Sequence, residues 1–529
     1  ASTGRIGPRE RGATPSLLRG GGRGRGPSEL KVTKLEFLRS TNNNTWGLCF
    51  DESGELFGST ANGCPIVHMP IPNRYYEKVR GLNPTVLQNI APDNHFEPMT
   101  EKVRQVDWHG GFTAASHIAV YTARTYPREY WNRTAFISEP TGHLTAAMTL
   151  HPDGATFKAR YGWNLVASDD EWCAPIDAQV GPDGHVWVTD WYAFIVQHNP
   201  TPSGFKTGKG GAYETELRDK ARGRIYRVVY TKAKNEKPFT LKDATPEKLV
   251  EALKHPNMTW RLHAQRLLVT DAKPDAIGAL LKAVGDNSVD ETGNNPGAVH
   301  ALHALAALGA LDGKNEPTAE AVIAALKHPA PSVRAAAFAV LPRQDKWFML
   351  IPSEAFADPD AKVRKAGLLA LAELPPGAGG VFALSRFVAR VPDAEASSPA
   401  LLAAVAAHHR ALLTIVAELP DRPALLPAIE LAARTFAASG DHAKLANVLI
   451  HAARAKGAAA ERIVAGLAAG WPAGRTADLA GGEEAVGKLL GTLPAASRGR
   501  LLKLASTWGV KGVDAQLAEL TKAAFATLA

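Results

Sequence analysis

From Lys31 to about Tyr230 apolar residues fall at alternate positions in short runs separated by turn-forming residues. Three stretches repeat one device: WGLCFDESGELFGST (Trp46 to Thr60), AMTLHPDGATFKARYGW (Ala147 to Trp163) and DAQVGPDGHVWVTDWY (Asp177 to Tyr192). In each, an alternating run meets a turn containing Asp and Gly and a second alternating run follows, the pattern of a β-hairpin whose glycine takes a positive φ. Recurrent short strands predict a β-propeller or a sandwich rather than β/α units. At roughly 40–50 residues per blade this length holds about four blades. A loop-rich insertion, Ile71 to Trp108, interrupts the series.

Past a Lys-rich connector (233–248) the pattern changes to helical spacing. HPNMTWRLHA from His255, HPAPSVRAAA from His328 and DPDAKVRKAG from Asp358 share one frame. Pro256, Pro329 and Pro359 are followed four positions on by Trp260, Val333 or Val363, and five on by Arg261, Arg334 or Arg364. Proline in a first helical turn, a core-facing apolar residue and small residues beyond it predict HEAT-like helical pairs stacking into a solenoid. NNPGAVHALHALAALGAL around Pro296 supplies a repeat between the first two, and Ala/Leu-rich helices continue from Ala400 to Ala529. The expected fold class is therefore multidomain β plus α. A disordered lead (1–30), a partial propeller (31–232) and a linker (233–248) precede an α-helical solenoid (249–529).

Composition sharpens this picture at a few points. The chain of 529 residues is 45% hydrophobic and 21% charged, with a formal charge of +8. Much of that charge sits in the Arg/Gly-rich lead containing RGGGRGRGPSEL, so no specific nucleic-acid partner is expected. Gly, Pro and charges interrupt every long apolar run, so no membrane span is expected. Cys49, Cys64 and Cys173 make neither a disulfide framework nor a four-thiolate zinc site, and no two are spaced for covalent c-type haem. Phosphate-binding P-loop, dinucleotide and nucleophile-elbow motifs are absent from the sequence.

The ordered series NNNTWGLCF, FGSTANGCPIVHMPIPNRYYEKVRGL, VRQVDWHGGFTAASHIAVYTARTYPREYWNRTAFISEPTGHL and WNLVASDDEWCAPIDAQVGPDGHVWVTDWYAFIVQHNPTPSGF resembles the membrane-bound dehydrogenase family of planctomycete- and verrucomicrobia-type bacteria. The resemblance covers about Lys31 to Tyr230. It implies a glucose/sorbosone-dehydrogenase-like propeller that oxidises sugars or related alcohols with pyrroloquinoline quinone and Ca²⁺. It also implies electron transfer to a cytochrome c module and a periplasmic or cell-envelope location. Family members carry a complete propeller and a Cys-x-x-Cys-His haem site. This chain shows about four blades and no such motif, which also admits a non-catalytic scaffold that binds a glycan or, on the helical surface, a protein.

Removing hydride from a carbinol calls for a general base at the hydroxyl, a cation beside the reduced acceptor and often hard oxygen ligands for Ca²⁺. The expected base is His117, the cation Arg104, and Asp190 the carboxylate that orients or ligates. His109, Gly110 and Gly111 are expected at the cofactor, the glycines permitting close backbone approach. The metal ligands are left unassigned. Several other residues read as structural: Asp170 and Glu171 as an exposed turn, His143 as part of a tight turn, and His408 and His409 at a solvent edge. Cys64 and His68 are too few to define a zinc site, and Arg261, Arg334 and Arg364 are expected to join neighbouring repeats.

Overall fold

The structure is a computed structural model that describes residues 35–511 except 42–43, 62, 78, 80–87, 101–110, 197–203, 205, 208–212, 215–220, 234–238, 272 and 441. The chain divides into two compact units, Ala1–Phe37 and Leu38–Ala529, and both the strands and the helices belong to the second.

Strands β1 (Thr45–Phe50), β2 (Leu56–Thr60), β3 (Val67–His68) and β4 (Gln88–Asn89) form a first antiparallel sheet in sequence order. A second contains β5 (His117–Val120), β6 (Thr134–Glu139), β7 (Leu144–Asp153) and β8 (Thr156–Ala167). A third places β10 (Val186–Asp190) between β9 (Pro175–Val180) and β13 (Arg224–Val228), and β11 (Lys206–Thr207) with β12 (Tyr213–Glu214) makes a separate ribbon. None of these sheets closes on itself. The three hairpins expected from sequence are β1–β2, β7–β8 and β9–β10, and their turn glycines Gly54, Gly154 and Gly184 all have positive φ. The first sheet touches the second mainly through β1 against β5, and the second touches the third through β5 and β6 against β9. Phe57, Ile118, Ile137 and Met148 fill the space between the first two sheets, and Tyr121, Phe136, Val186 and Val188 that between the second and third.

Gly47 on β1 is what allows the first contact. A Cβ there would lie 2.6 Å from the Ile118 amide and 2.9 Å from the His117 Cα.

The described residues beyond the strands form helices α2 (Pro246–Ala252) through α17 (Ala495–Trp508), in chain order. Helices α3 (Met258–Thr270), α5 (Pro296–Ala307), α7 (Pro331–Val340), α9 (Ala361–Glu373), α11 (Pro399–Ala407) and α13 (Leu426–Ala438) pack each on the next. Small residues let these backbones approach: a Cβ on Gly367 of α9 would meet the rings of Phe387 and Phe338. Pro256, Pro329 and Pro359 stand one residue outside the N-caps rather than in the first turn, which corrects the sequence reading. The reason is local: Asn257 and Asp360 cap α3 and α9 by accepting from Thr259 and Lys362 amides, and a proline fits the extended backbone just before a cap.

The recurring arginines keep one geometry. Arg261, Arg334 and Arg364 each donate to the carbonyl six residues back, His255, His328 and Asp358. Arg334 then pairs with Asp358 at 2.6 Å and Arg364 with Glu395, both in the following repeat, as expected. Arg261 departs from the expectation, because its carboxylate is Glu52 in the β1–β2 turn, 2.7 Å away with both side chains 1% exposed. Glu52 also takes Arg124 at 2.7 Å, and Glu55 in the same turn takes Lys365 of α9 at 2.7 Å. The acidic turn DESGE thus fastens the strands to the helices. Around it, Asn257 donates to Gly181 O, Trp260 to Pro182 O and the Met258 amide to Thr122 O.

The insertion after Ile71 also begins as part of the helical core. Helix α1 (Asn73–Glu77) buries Tyr75 and Tyr76 there, and Arg74 and Tyr75 both reach Glu373 on α9. His408 is buried and bonded to Leu371 O at 2.9 Å, which corrects the solvent-edge reading: an imidazole satisfies a helix-end carbonyl without exposing its ring.

Candidate functional site

The start of β5, the end of β6, the starts of β7 and β9 and the end of β10 meet at one end of the sheets. Antiparallel register brings His117 opposite Ser138, Glu139 opposite Leu144, and Asp190 opposite Pro175. Ser116 Oγ donates to Ile176 O at 2.8 Å and ties β5 to β9.

His117 stands here between two side chains of β9. Asp177 Oδ1 is 2.9 Å from Nδ1 at ion-pair range, off the line of a hydrogen bond, and the Gln179 amide nitrogen is 3.0 Å from Nε2. Strand alternation in PIDAQV puts Asp177 and Gln179 on the same face, the signal by which sequence could have found them. The Gln179 amide donates to Nε2, so that nitrogen carries the lone pair and Nδ1 the proton, which faces the Asp177 carboxylate without a hydrogen bond to it. His117 remains 17% exposed, so its ring is reachable.

Behind it lies a buried polar layer. Glu139, fully buried, accepts from the amides of Thr113 at 3.1 Å, Ala114 at 2.9 Å and Thr141 at 3.2 Å, and from the Thr141 hydroxyl. Burial pushes its carboxyl up to about 7 despite these donors. The bonds to Thr113 and Ala114 fix the segment that leads into His117. His143, read from sequence as belonging to a tight turn, caps a 3₁₀ turn in the left-handed region with φ 59°. Its Nδ1 donates to Cys173 O at 2.6 Å, and its Nε2 is buried without a hydrogen-bond partner. A strained backbone with an unsatisfied buried nitrogen is a combination often found at functional sites.

The remaining expected residues divide. Asp190 is 3% exposed and its carboxylate is spent on the Ala174 and Tyr192 amides and the Tyr226 hydroxyl, at 2.7, 2.8 and 2.8 Å. It therefore orients the β9–β10 backbone and Tyr226. Gly111 forms an isolated bridge with His95. Arg104, His109 and Gly110 lie outside the described residues. Asp170 caps the Trp172 amide within a turn, but Asp170 and Glu171 are half-buried there rather than exposed. His68 gives its ring nitrogens to Thr156 and Glu55, each at 2.9 Å, which leaves neither for a metal shared with Cys64.

Among the described residues no group of three or more His, Cys, Asp or Glu could hold a metal ion. No helix of the described residues is long and apolar enough to cross a membrane. A family model described as a domain of unknown function, DUF7133, matches residues 22–232, a span that contains all three sheets. No curated protein matches the chain.

Proposed function

We propose that the strand half is the alcohol-oxidising part of a dehydrogenase that acts on sugars or related alcohols and passes electrons to a haem-bearing partner in the periplasm or cell envelope. In this reading the three sheets are blades of an open β-propeller and the helices a HEAT-like solenoid. The observation that carries it is His117 between Asp177 and Gln179. A substrate hydroxyl displaces the Gln179 amide from Nε2, which takes its proton, Asp177 stabilises the resulting imidazolium, and the carbinol hydrogen leaves as hydride. A bound quinone would supply the two-electron acceptor. Glu139, through Thr113 and Ala114, holds the segment that positions the base.

A second reading, a glycan- or protein-binding scaffold without turnover, is favoured by Asp190, whose carboxylate is consumed by the fold. Dye reduction by the full chain with pyrroloquinoline quinone, Ca²⁺ and a panel of sugars and alcohols separates the two. Under the first, some substrate is turned over and His117→Ala removes turnover while calorimetry still detects sugar binding. Binding without turnover across the panel selects the scaffold.

A further inference from the structure

A cavity of about 590 Å³ opens between the strands and the helices, and none of the residues around His117 lines it. Its walls are the β1–β2 turn, the segment before β6, the β7–β8 hairpin, and the starts of α7 and α9. Four carboxylates line it, and three are already engaged. Glu55 is held by Lys365 and His68, Asp360 caps the Lys362 amide at 2.7 Å, and Asp51 accepts from the Ser53 and Glu55 amides at 2.9 Å each. Only Glu129, exposed at the rim, is uncommitted.

The cations differ. Arg133 has no carboxylate within ion-pair distance among the described residues, and Lys362 rests its ammonium 4.0 Å from the centre of the Phe157 ring with none either, though near enough for its charge to act on Asp51. Helix α7 begins at this cavity with no side chain capping it, so the positive end of its dipole is unanswered. Ser332, in that first turn, is 8% exposed, and its hydroxyl is buried without a partner. A donor left unsatisfied beside an uncapped helix start and two unpaired cations lacks one thing, an oxyanion acceptor.

We propose that this cavity binds the oxyanion of a small polar molecule, a carboxylate or a phosphate, held by Ser332 and the start of α7 with Lys362 and Arg133 as counter-charges. The volume suits a molecule of monosaccharide size. Ligand seated here touches both halves of the protein, which are joined by the ion pairs of the adjacent DESGE turn.

Isothermal titration of the full chain with inorganic phosphate, gluconate, glucose 6-phosphate and uncharged glucose tests it. At least one anion binds while glucose does not, gluconate and the phosphates telling the two oxyanion sources apart. Lys362→Met and Arg133→Gln each weaken binding about tenfold, the loss of one charge-assisted contact. Arg133 is exposed, so its variant remains informative if Lys362→Met fails to fold. Absence of binding by every anion at about 10 mM, well beyond the millimolar end of specific affinities, or binding unchanged in both variants, overturns the proposal.

Discussion

At the residue scale, the most telling groups are buried acids whose pKa values move in opposite directions: burial raises all of them, and nearby cations pull one back down. Glu139 and Asp51 are both raised to about 7, by desolvation first, and for Asp51 also by the charge of Glu55. Glu55 is lowered to about 2, because Lys365 and His68 outweigh its burial. The signs follow from linkage. A raised acid gives stability that is whole below its unfolded value and is lost as pH climbs through about 7, whereas a lowered acid gives stability that is lost as pH falls through about 2. The contributions of Glu139 and Asp51 should therefore decline between about pH 5 and pH 8, each by an amount on the order of a few kcal/mol in stability, against the opposite trend from buried histidines such as His300, which burial holds neutral. Glu139→Gln should flatten that decline; a variant as steep as the parent would remove Glu139 as its source. Little of this was legible in sequence. GELFGST and EPTGHL give no sign of which acid meets a cation, since Lys365 lies 310 positions from Glu55.

At the element scale, two contacts decide how the strands sit. Gly47 lets β1 lie against β5, and Gly47→Ala would press a methyl onto the backbone of Ile118 and His117. A cost of about 1–3 kcal/mol in denaturant unfolding is expected, together with a shifted His117 ring resonance, because the strand that carries His117 must move. The Glu52–Arg261 pair is the second contact. Removing either partner alone should cost about 3–5 kcal/mol by leaving a buried charge, while Glu52→Gln with Arg261→Met should cost less than the sum. Strict additivity in that double-mutant cycle would mean that the two charges are not coupled. The three hairpins and the neighbourhoods of the starts of α3, α5, α7 and α9 were legible in the sequence, because Asp/Gly turns and period-two or helical spacing are local signals. The docking partner of Arg261 was not: its repeat position matches those of Arg334 and Arg364, and only the approach of the DESGE turn distinguishes it.

At the scale of the whole molecule, sequence marks a boundary near the Lys-rich connector, yet strands and helices share one compact unit from Leu38 onward. Buried ion pairs and the α1 contacts to Glu373 join them. Calorimetry should show one cooperative transition for the described body, and Glu52→Gln combined with Glu55→Gln should split it in two. Two transitions in the parent protein would mean that the ion pairs do not couple the halves.

The order of hairpins followed by helices, the turn glycines and the recurrent arginine frame were determined by the sequence itself, because each depends on residues a few positions apart. Tertiary structure decided the rest. It placed Asp177 and Gln179 about His117, spent Asp190 on backbone amides, left His143 Nε2 and Ser332 Oγ without partners, and turned an acidic hairpin loop into the lock between the halves. Each of these depends on desolvation and on groups brought together from distant parts of the chain, and neither quantity is written in local pattern.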